Sequence, residues 1–138
     1  MSRSQKIQYV IKVLLDKIFS IILLVLLLPL FIIVSILIIL DSKGSIIFKQ
    51  SRLGLNGKVF TIYKFRTMCE NAINLGEGIF VSENDFRITR TGKVLRKTSL
   101  DELPQLINIL KSDMSFVGPR PPLYDYPYVY DDYDKNQK

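Results

Sequence analysis

The stretch IFSIILLVLLLPLFIIVSILIIL, from Ile18 to Leu40, contains no charged residue. About 20 consecutive apolar residues are enough for a helix to cross the hydrocarbon core of a bilayer. The stretch is too long for the core of a cleaved signal peptide, and no cleavage site of small residues follows it. Pro29 lies near its centre, where a proline removes a helical hydrogen bond and bends the helix. The sequence therefore predicts a membrane protein whose apolar helix is broken at Pro29.

Basic residues flank this apolar run on both sides. Two basic flanks give no orientation for a spanning helix under the positive-inside rule. Two topologies fit: a single span, in which a proline is tolerated, and a re-entrant helix that leaves both ends on the cytoplasmic side. The flanking cations are Arg3, Lys6, Lys12 and Lys17 before the run, and Lys43, Lys49, Arg52, Lys58, Lys64 and Arg66 after it.

The chain after the apolar run has the pattern of a small mixed domain. Residues 46–50 and 58–65 are rich in β-branched and aromatic side chains and are separated by Gly54 and Gly57, which predicts a β-hairpin. Short helices are predicted further on. The expected fold class is mixed α/β, with a membrane-associated helix at 1–42, a small cytoplasmic domain at 43–124 and an acidic, tyrosine-rich tail at 125–138.

The composition narrows the chemistry that is open to this domain. The formal net charge is +6, so an anionic partner is expected: nucleic acid, lipid headgroups or a phosphorylated substrate. No nucleic-acid recognition motif is present, which argues against the first of these. The chain has no histidine, and the single Cys69 cannot form an internal disulfide. Acid–base or covalent chemistry must then fall on other side chains, carboxylates among them.

Two adjacent carboxylates, Asp101 and Glu102, stand in the stretch TSLDELPQLINIL. One interpretation is structural: Ser99 and Glu102 form a capping box, and the acidic residues favour the start of a helix. The predicted helix begins near Ser99 or Asp101, with Pro104 in its first turn. Its spacing would place Leu100, Leu103, Ile107 and Leu110 on an apolar face, and Asp101, Gln105 and Asn108 on an outward face.

The other interpretation of the dyad is chemical. An aspartate can serve as a nucleophile, as in aspartyl-phosphate enzymes. Mg²⁺ binds one or two carboxylates together with substrate phosphates, and nearby arginines bind phosphate through two hydrogen bonds. Spacing alone leaves both interpretations open.

Three longer segments, IFKQSRLG, YKFRTM and GKVLRKTSLDELPQLINILKSDMSFVGPRPP, resemble the bacterial sugar transferases, the monotopic polyprenyl-phosphate phosphoglycosyl transferases. This resemblance covers the chain from the apolar run to about Tyr124. It implies transfer of a sugar phosphate from a nucleoside-diphosphate sugar to a polyprenyl phosphate in a two-step exchange. It also implies a place on the cytoplasmic face of the bacterial inner membrane, and a role in the first step of surface glycan, exopolysaccharide or lipopolysaccharide assembly.

The resemblance assigns roles to particular residues. Pro29 matches the proline at which the family's membrane helix re-enters the leaflet. Asp101 matches the nucleophile and Glu102 its dyad partner, and members of the family use Mg²⁺, which the dyad is expected to bind. Lys64, Arg96 and Arg120 match cations of the family motifs and are expected to bind substrate. Arg66, two residues after Lys64, is the fourth candidate for substrate binding.

Two departures from the family pattern bear on these expectations. Leu28 precedes Pro29 where relatives often have serine, so the bend is expected to be held differently. The chain also ends after YDKNQK, without the RPGITGW-like segment that relatives carry, so a C-terminally shortened form is expected. The alternatives are a non-catalytic remnant that binds membrane and nucleotide sugar, and a single-span anchor with a basic interaction module. The Asp-Glu dyad has no use in such an anchor.

Overall fold

The computed structural model describes residues 2–75 and 85–124, without the side chains of Asn56 and Ile73. The predicted tail at 125–138 therefore lies outside the described residues. Within the described ranges the elements are α1 (Arg3–Leu26), α2 (Leu28–Asp41), β1 (Ile47–Leu53), β2 (Val59–Phe65), α3 (Arg90–Thr98) and α4 (Gln105–Leu110). The chain is a mixture of helices with one small two-stranded sheet, in agreement with the predicted α/β class.

The apolar run forms two helices instead of one. Leu27 separates α1 from α2, and Pro29 lies in the first turn of α2. Pro29 has no N–H for the preceding turn, and its ring would clash with the carbonyl of Val25, so a helix cannot continue through it undisturbed. No single helix of the described residues is long and apolar enough to span a membrane, but α1 and α2 together meet that test as a pair bent by 61°.

The predicted hairpin is present. A 3₁₀ turn at Leu55–Gly57 connects β1 to β2. Gly54 N–H donates to the carbonyl of Lys58 at 2.8 Å at one end, and Arg66 N–H donates to the carbonyl of Ile46 at 2.8 Å at the other. These two bonds close the antiparallel hairpin at its two ends.

The chain divides into two compact units. The first comprises Met1–Leu26, Lys49–Tyr63 and Gln105–Lys138. In it α1 packs against α4, where the buried Ser20 hydroxyl donates to the carbonyl of Leu106 at 2.5 Å. Asn108 has 0% exposure; its amide accepts from Tyr63 N–H at 3.1 Å and donates to the carbonyl of Thr61 at 2.7 Å. One buried side chain thus joins α4 to β2.

The second unit comprises Leu27–Phe48 and Lys64–Pro104. Its core is a cluster of apolar side chains from α2, the end of β2 and α3: Val34, Ile38, Phe65 and Leu95. The helices α2 and α3 pack together, and the carboxylate of Asp41 accepts from Thr91 N–H at 2.7 Å. This bond supplies a partner for one of the free N–H groups in the first turn of α3.

The structure corrects the prediction for the segment that follows α3. Ser99 ends α3 with a left-handed backbone (φ 57°), and Leu100–Glu102 forms a separate 3₁₀ turn. The side chain of Ser99 makes no capping bond, so the predicted capping box is absent. The helix begins only at Gln105, because Pro104 has no N–H to bond back to Leu100. The predicted faces are also wrong, since Asn108 is buried while Ile107 is exposed.

Candidate active site

The dyad is positioned by the way in which α3 begins and ends. Thr89 is the N-cap of α3, and its hydroxyl accepts from Gly92 N–H at 2.9 Å. At the other end the left-handed Ser99 turns the chain directly into the 3₁₀ turn that carries Asp101 and Glu102. Asp101 and Glu102 therefore lie on a short turn whose position is set by the end of α3.

Lys64, near the end of β2, forms an ion pair with the dyad. Its ammonium group lies 2.7 Å from a carboxylate oxygen of Glu102, and the two side chains are 15% and 41% exposed. The positive charge of this ammonium group also lowers the pKa of Asp101. The lysine predicted from the YKF motif is therefore beside the dyad.

Asp101 is half-buried, and burial raises its pKa above the ordinary value for an aspartate. The positive charge of Lys64 opposes this effect, the negative charge of Glu102 adds to it, and the charge of Arg96 opposes it more weakly. Incomplete solvation makes the ionised carboxylate more basic than one in water. The site thus contains a half-buried carboxylate on which burial acts most strongly, and the charge of Lys64 opposes that effect.

Arg96 lies on the last turn of α3, and its Nε donates to the hydroxyl of Thr67 at 2.8 Å. Burial lowers its pKa, while the negative charges of Asp101 and Asp85 raise it again. An arginine remains protonated at neutral pH despite such shifts. Arg96 is therefore a positive charge, held by Thr67, that acts on Asp101 through space.

Arg66, the other cation predicted from this strand, is buried and engaged with backbone just beyond α2. Its terminal nitrogens donate to the carbonyl of Lys43 at 2.6 Å and to the carbonyl and hydroxyl of Ser42 at 2.6 and 3.0 Å. These bonds satisfy carbonyl groups at the end of α2. A contact between Arg66 and substrate stays a prediction.

The remaining predicted residues are Arg120 and Pro29. Arg120 is exposed and belongs to the first unit, whereas Lys64, Arg96, Asp101 and Glu102 all belong to the second. Pro29 is exposed at the start of α2, also in the second unit. Within the second unit, Lys64 and Arg96 are the predicted cations whose charges act on Asp101, and the contacts of Arg120 and Pro29 with a site stay predictions.

Sequence reasoning missed a buried ion pair in the second unit. Arg87 is 2% exposed, and its guanidinium binds the carboxylate of Asp85, with a shortest distance of 2.6 Å. It also donates to the carbonyls of Ala72 and Leu75 at 2.8 and 2.7 Å. This guanidinium lowers the pKa of Asp85 to about 2. The only signal in the sequence is the Asp-Phe-Arg spacing, which is too short to be specific.

The dyad supplies two carboxylates for a metal ion. In the described ranges no group of three or more His, Cys, Asp or Glu side chains is close enough together to hold one. Mg²⁺ commonly takes one or two protein carboxylates and completes its shell with water and substrate phosphates. The donor set of Asp101 and Glu102 fits that mode of binding.

The sequence of the chain is similar to sequences of known proteins. The bacterial sugar transferase family matches residues 7–138. A UDP-N-acetylgalactosamine-undecaprenyl-phosphate N-acetylgalactosaminephosphotransferase of Aeromonas hydrophila is 50% identical over 67% of this chain and 22% of its own length. A putative undecaprenyl-phosphate N-acetylgalactosaminyl 1-phosphate transferase of Bacillus subtilis is 45% identical over 80% of this chain and 62% of its own length.

A third relative is the UDP-glucose:undecaprenyl-phosphate glucose-1-phosphate transferase of Klebsiella pneumoniae, 44% identical over 83% of this chain and 24% of its own length. The chain thus spans between about a fifth and about three fifths of the length of these relatives. The family match covers nearly the whole chain, so the protein belongs to the bacterial sugar transferase family.

Proposed function

We propose that this protein is a phosphoglycosyl transferase that moves a sugar phosphate from a nucleoside-diphosphate sugar to a polyprenyl phosphate. The observation that carries the proposal is the half-buried Asp101, set beside the Lys64–Glu102 ion pair and within reach of the charge of Arg96. The names of the relatives, which include UDP-sugars and undecaprenyl phosphate, support the same donor and acceptor classes.

Asp101 is the proposed nucleophile. Its carboxylate oxygen bonds to the phosphorus next to the sugar, the bond from that phosphorus to the bridging oxygen breaks, and a nucleoside monophosphate leaves with the bond electrons. A phosphate oxygen of the polyprenyl phosphate then attacks the same phosphorus and releases the carboxylate. Splitting the transfer in this way replaces one difficult step with two easier ones.

The cations around Asp101 address the main electrostatic difficulty, because a carboxylate and a phosphate group repel each other. Lys64 pairs with Glu102 at 2.7 Å, and its positive charge opposes the rise that burial causes in the pKa of Asp101. Arg96 supplies a second positive charge, suited to phosphate oxygens. When bound by Asp101 and Glu102, Mg²⁺ would neutralise further charge on the phosphates. Arg66 and Arg120 remain proposed contacts to substrate.

Features of the first unit and of α2 support a membrane location, which we propose to be the cytoplasmic face of the bacterial inner membrane. Large apolar side chains are exposed along both α1 and α2. A groove of about 610 Å³ follows α1 and is lined mostly by apolar side chains, including Ile11, Leu15, Phe19 and Phe116. Exposed apolar surface of this extent is typical of contact with lipid. We further propose that residues 1–42 re-enter one leaflet and that 43–124 form the catalytic domain.

The proposal is tested by measuring nucleoside monophosphate release from a panel of nucleotide sugars, with undecaprenyl phosphate and Mg²⁺ in lipid nanodiscs. The panel begins with UDP-N-acetylgalactosamine and UDP-glucose. We expect release with at least one donor, its loss in Asp101→Ala, and its retention in Glu70→Gln, which changes an exposed carboxylate of the same unit. No release from any donor would contradict the proposed function.

A further inference from the structure

Thr67 follows β2 and lies between the strand and α3. It is 8% exposed, and its hydroxyl accepts the Nε hydrogen of Arg96 at 2.8 Å. A hydrogen bond from a charged donor to a buried acceptor is stronger than one between neutral groups. The two residues are 29 positions apart, and no sequence pattern connects them.

The main chain of Thr67 is held against the first turn of α3. Its carbonyl accepts from Thr89 N–H at 3.1 Å. A Cβ atom added at Gly92 would come within 2.0 Å of that same carbonyl oxygen, so the helix and the strand end touch through backbone. Arg96 lies one helical turn after Gly92 and therefore on the same side of α3. The backbone contact thus fixes the distance between the Thr67 hydroxyl and the side chain of Arg96.

The bond to Nε determines how the guanidinium of Arg96 is oriented. A guanidinium is a rigid planar group. When its Nε is held by a hydrogen bond, the direction of its two terminal nitrogens is therefore set as well. Those terminal nitrogens make no hydrogen bond with any part of the chain that the structure describes, whereas Asp101 and Asp85 act on the guanidinium through charge. The pair is therefore available for two oxygens of one phosphate group.

We propose that Thr67 is a positioning residue: its hydroxyl holds Arg96 so that the terminal nitrogens of the guanidinium face a phosphate group of the nucleotide sugar. The inference rests on the proposed function for the identity of that ligand. Thr67 itself touches no reacting atom and acts only through Arg96.

The test compares side-chain changes that leave the backbone contacts of position 67 in place. Thr67→Val keeps the shape and removes the acceptor, while Thr67→Ser keeps the acceptor. We expect Thr67→Val to lower kcat/KM for the nucleotide sugar by roughly tenfold or more, and to lower the affinity for UDP by a similar factor. This is the size of effect expected when a hydrogen bond to a charged group is lost. Thr67→Ser should stay within about twofold of the unmutated chain. Thr98→Val, which changes an exposed hydroxyl on α3, is the control.

A double-mutant cycle separates positioning from a general structural effect. In Arg96→Lys the side chain has no Nε donor, so Thr67→Val should cause no further loss in that background. An equal loss in both backgrounds, or wild-type behaviour of Thr67→Val while Arg96→Lys is impaired, would overturn the inference.

The two proposals fail in different ways. A chain that binds UDP in a Thr67-dependent manner but releases no nucleotide contradicts the proposed transfer and supports the positioning role. Normal turnover in Thr67→Val contradicts the positioning role alone. Failure of the unmutated chain to bind UDP contradicts both.

Discussion

At the scale of single residues, Asp101 combines two opposing influences. Burial raises its pKa, and the charge of Lys64 offsets part of that rise. The family motif predicts a nucleophilic role for this residue, but nothing in the spacing predicted the charges and the burial around it. Lys64, which supplies the largest opposing charge, lies on β2, far from Asp101 in the sequence, whereas Arg96 lies on α3, the helix just before the turn.

Asn108 shows where residue-level prediction failed. Helical spacing from Asp101 placed it on an outward face, but Pro104 interrupts the helix and α4 begins with a new rotation. Its amide instead bonds to the strand backbone at Tyr63 and Thr61 with no exposure to solvent. A periodicity that crosses a proline is therefore a poor guide to which side is buried.

Replacing this amide should destabilise the first unit. Asn108→Ala leaves Tyr63 N–H and the carbonyl of Thr61 without their partner, and two such losses cost roughly 2–5 kcal/mol. Chemical unfolding in detergent micelles measures the change in free energy, with Asn74→Ala, an exposed position, as the control. A cost no larger than that of Asn74→Ala would show that the amide is not holding α4 to β2.

The buried pair of Asp85 and Arg87 predicts an acid-dependent loss of stability. Arg87 lowers the pKa of Asp85 from 3.8 to about 2, so the folded state gives up its proton more readily than the unfolded chain. The stability from this pair is complete above pH 3.8 and is lost as the pH falls toward about 2. Thermal unfolding across that window should show a shallower decline in Asp85→Asn. An identical decline would refute the contribution of the pair.

At the scale of elements, features that depend on local sequence could be predicted, whereas features that depend on contacts between distant residues could not. The hairpin followed from its β-branched residues and glycines, and the helix break next to Pro29 followed from proline geometry. The first turn of α3 is capped locally by Thr89, but it also depends on Asp41, fifty positions away, whose carboxylate accepts from Thr91 N–H. A cap supplied by another helix has no signature in the sequence around α3.

The close approach of α3 to the end of β2 requires a glycine at position 92. In Gly92→Ala the new methyl group would lie 2.0 Å from the carbonyl oxygen of Thr67, so helix and strand must separate. Overpacking of this kind costs about 1–3 kcal/mol, and here it would also draw Arg96 away from Thr67. Gly118→Ala is the matched control, because a Cβ there meets no atom within 4 Å. Equal unfolding free energies for the two variants would contradict the close contact.

At the scale of the whole molecule, the question is how the broken apolar run sits in the membrane. We predict that the N-terminus and the chain after Asp41 lie on the same, cytoplasmic side, because both flanks are basic and the run is broken next to Pro29. Single cysteines at Ser4 and Ser45, in a Cys69→Ser background, report this through labelling from each side. Labelling of position 4 only from the outer side would contradict it.

Pro29→Leu should favour a continuous spanning helix and move one of the two labels.

The most direct test of the central claim is formation of a covalent adduct at Asp101. The protein is incubated with nucleotide sugar carrying a radiolabelled sugar and Mg²⁺, without a lipid acceptor, and label on the chain is counted after denaturation. Asp101→Asn has nearly the same shape and should unfold at a similar temperature, so loss of label reports chemistry and not folding. The account predicts label on the unmutated chain and none on Asp101→Asn. Label that persists on Asp101→Asn, in a preparation whose unmutated chain turns over, would contradict the nucleophilic role.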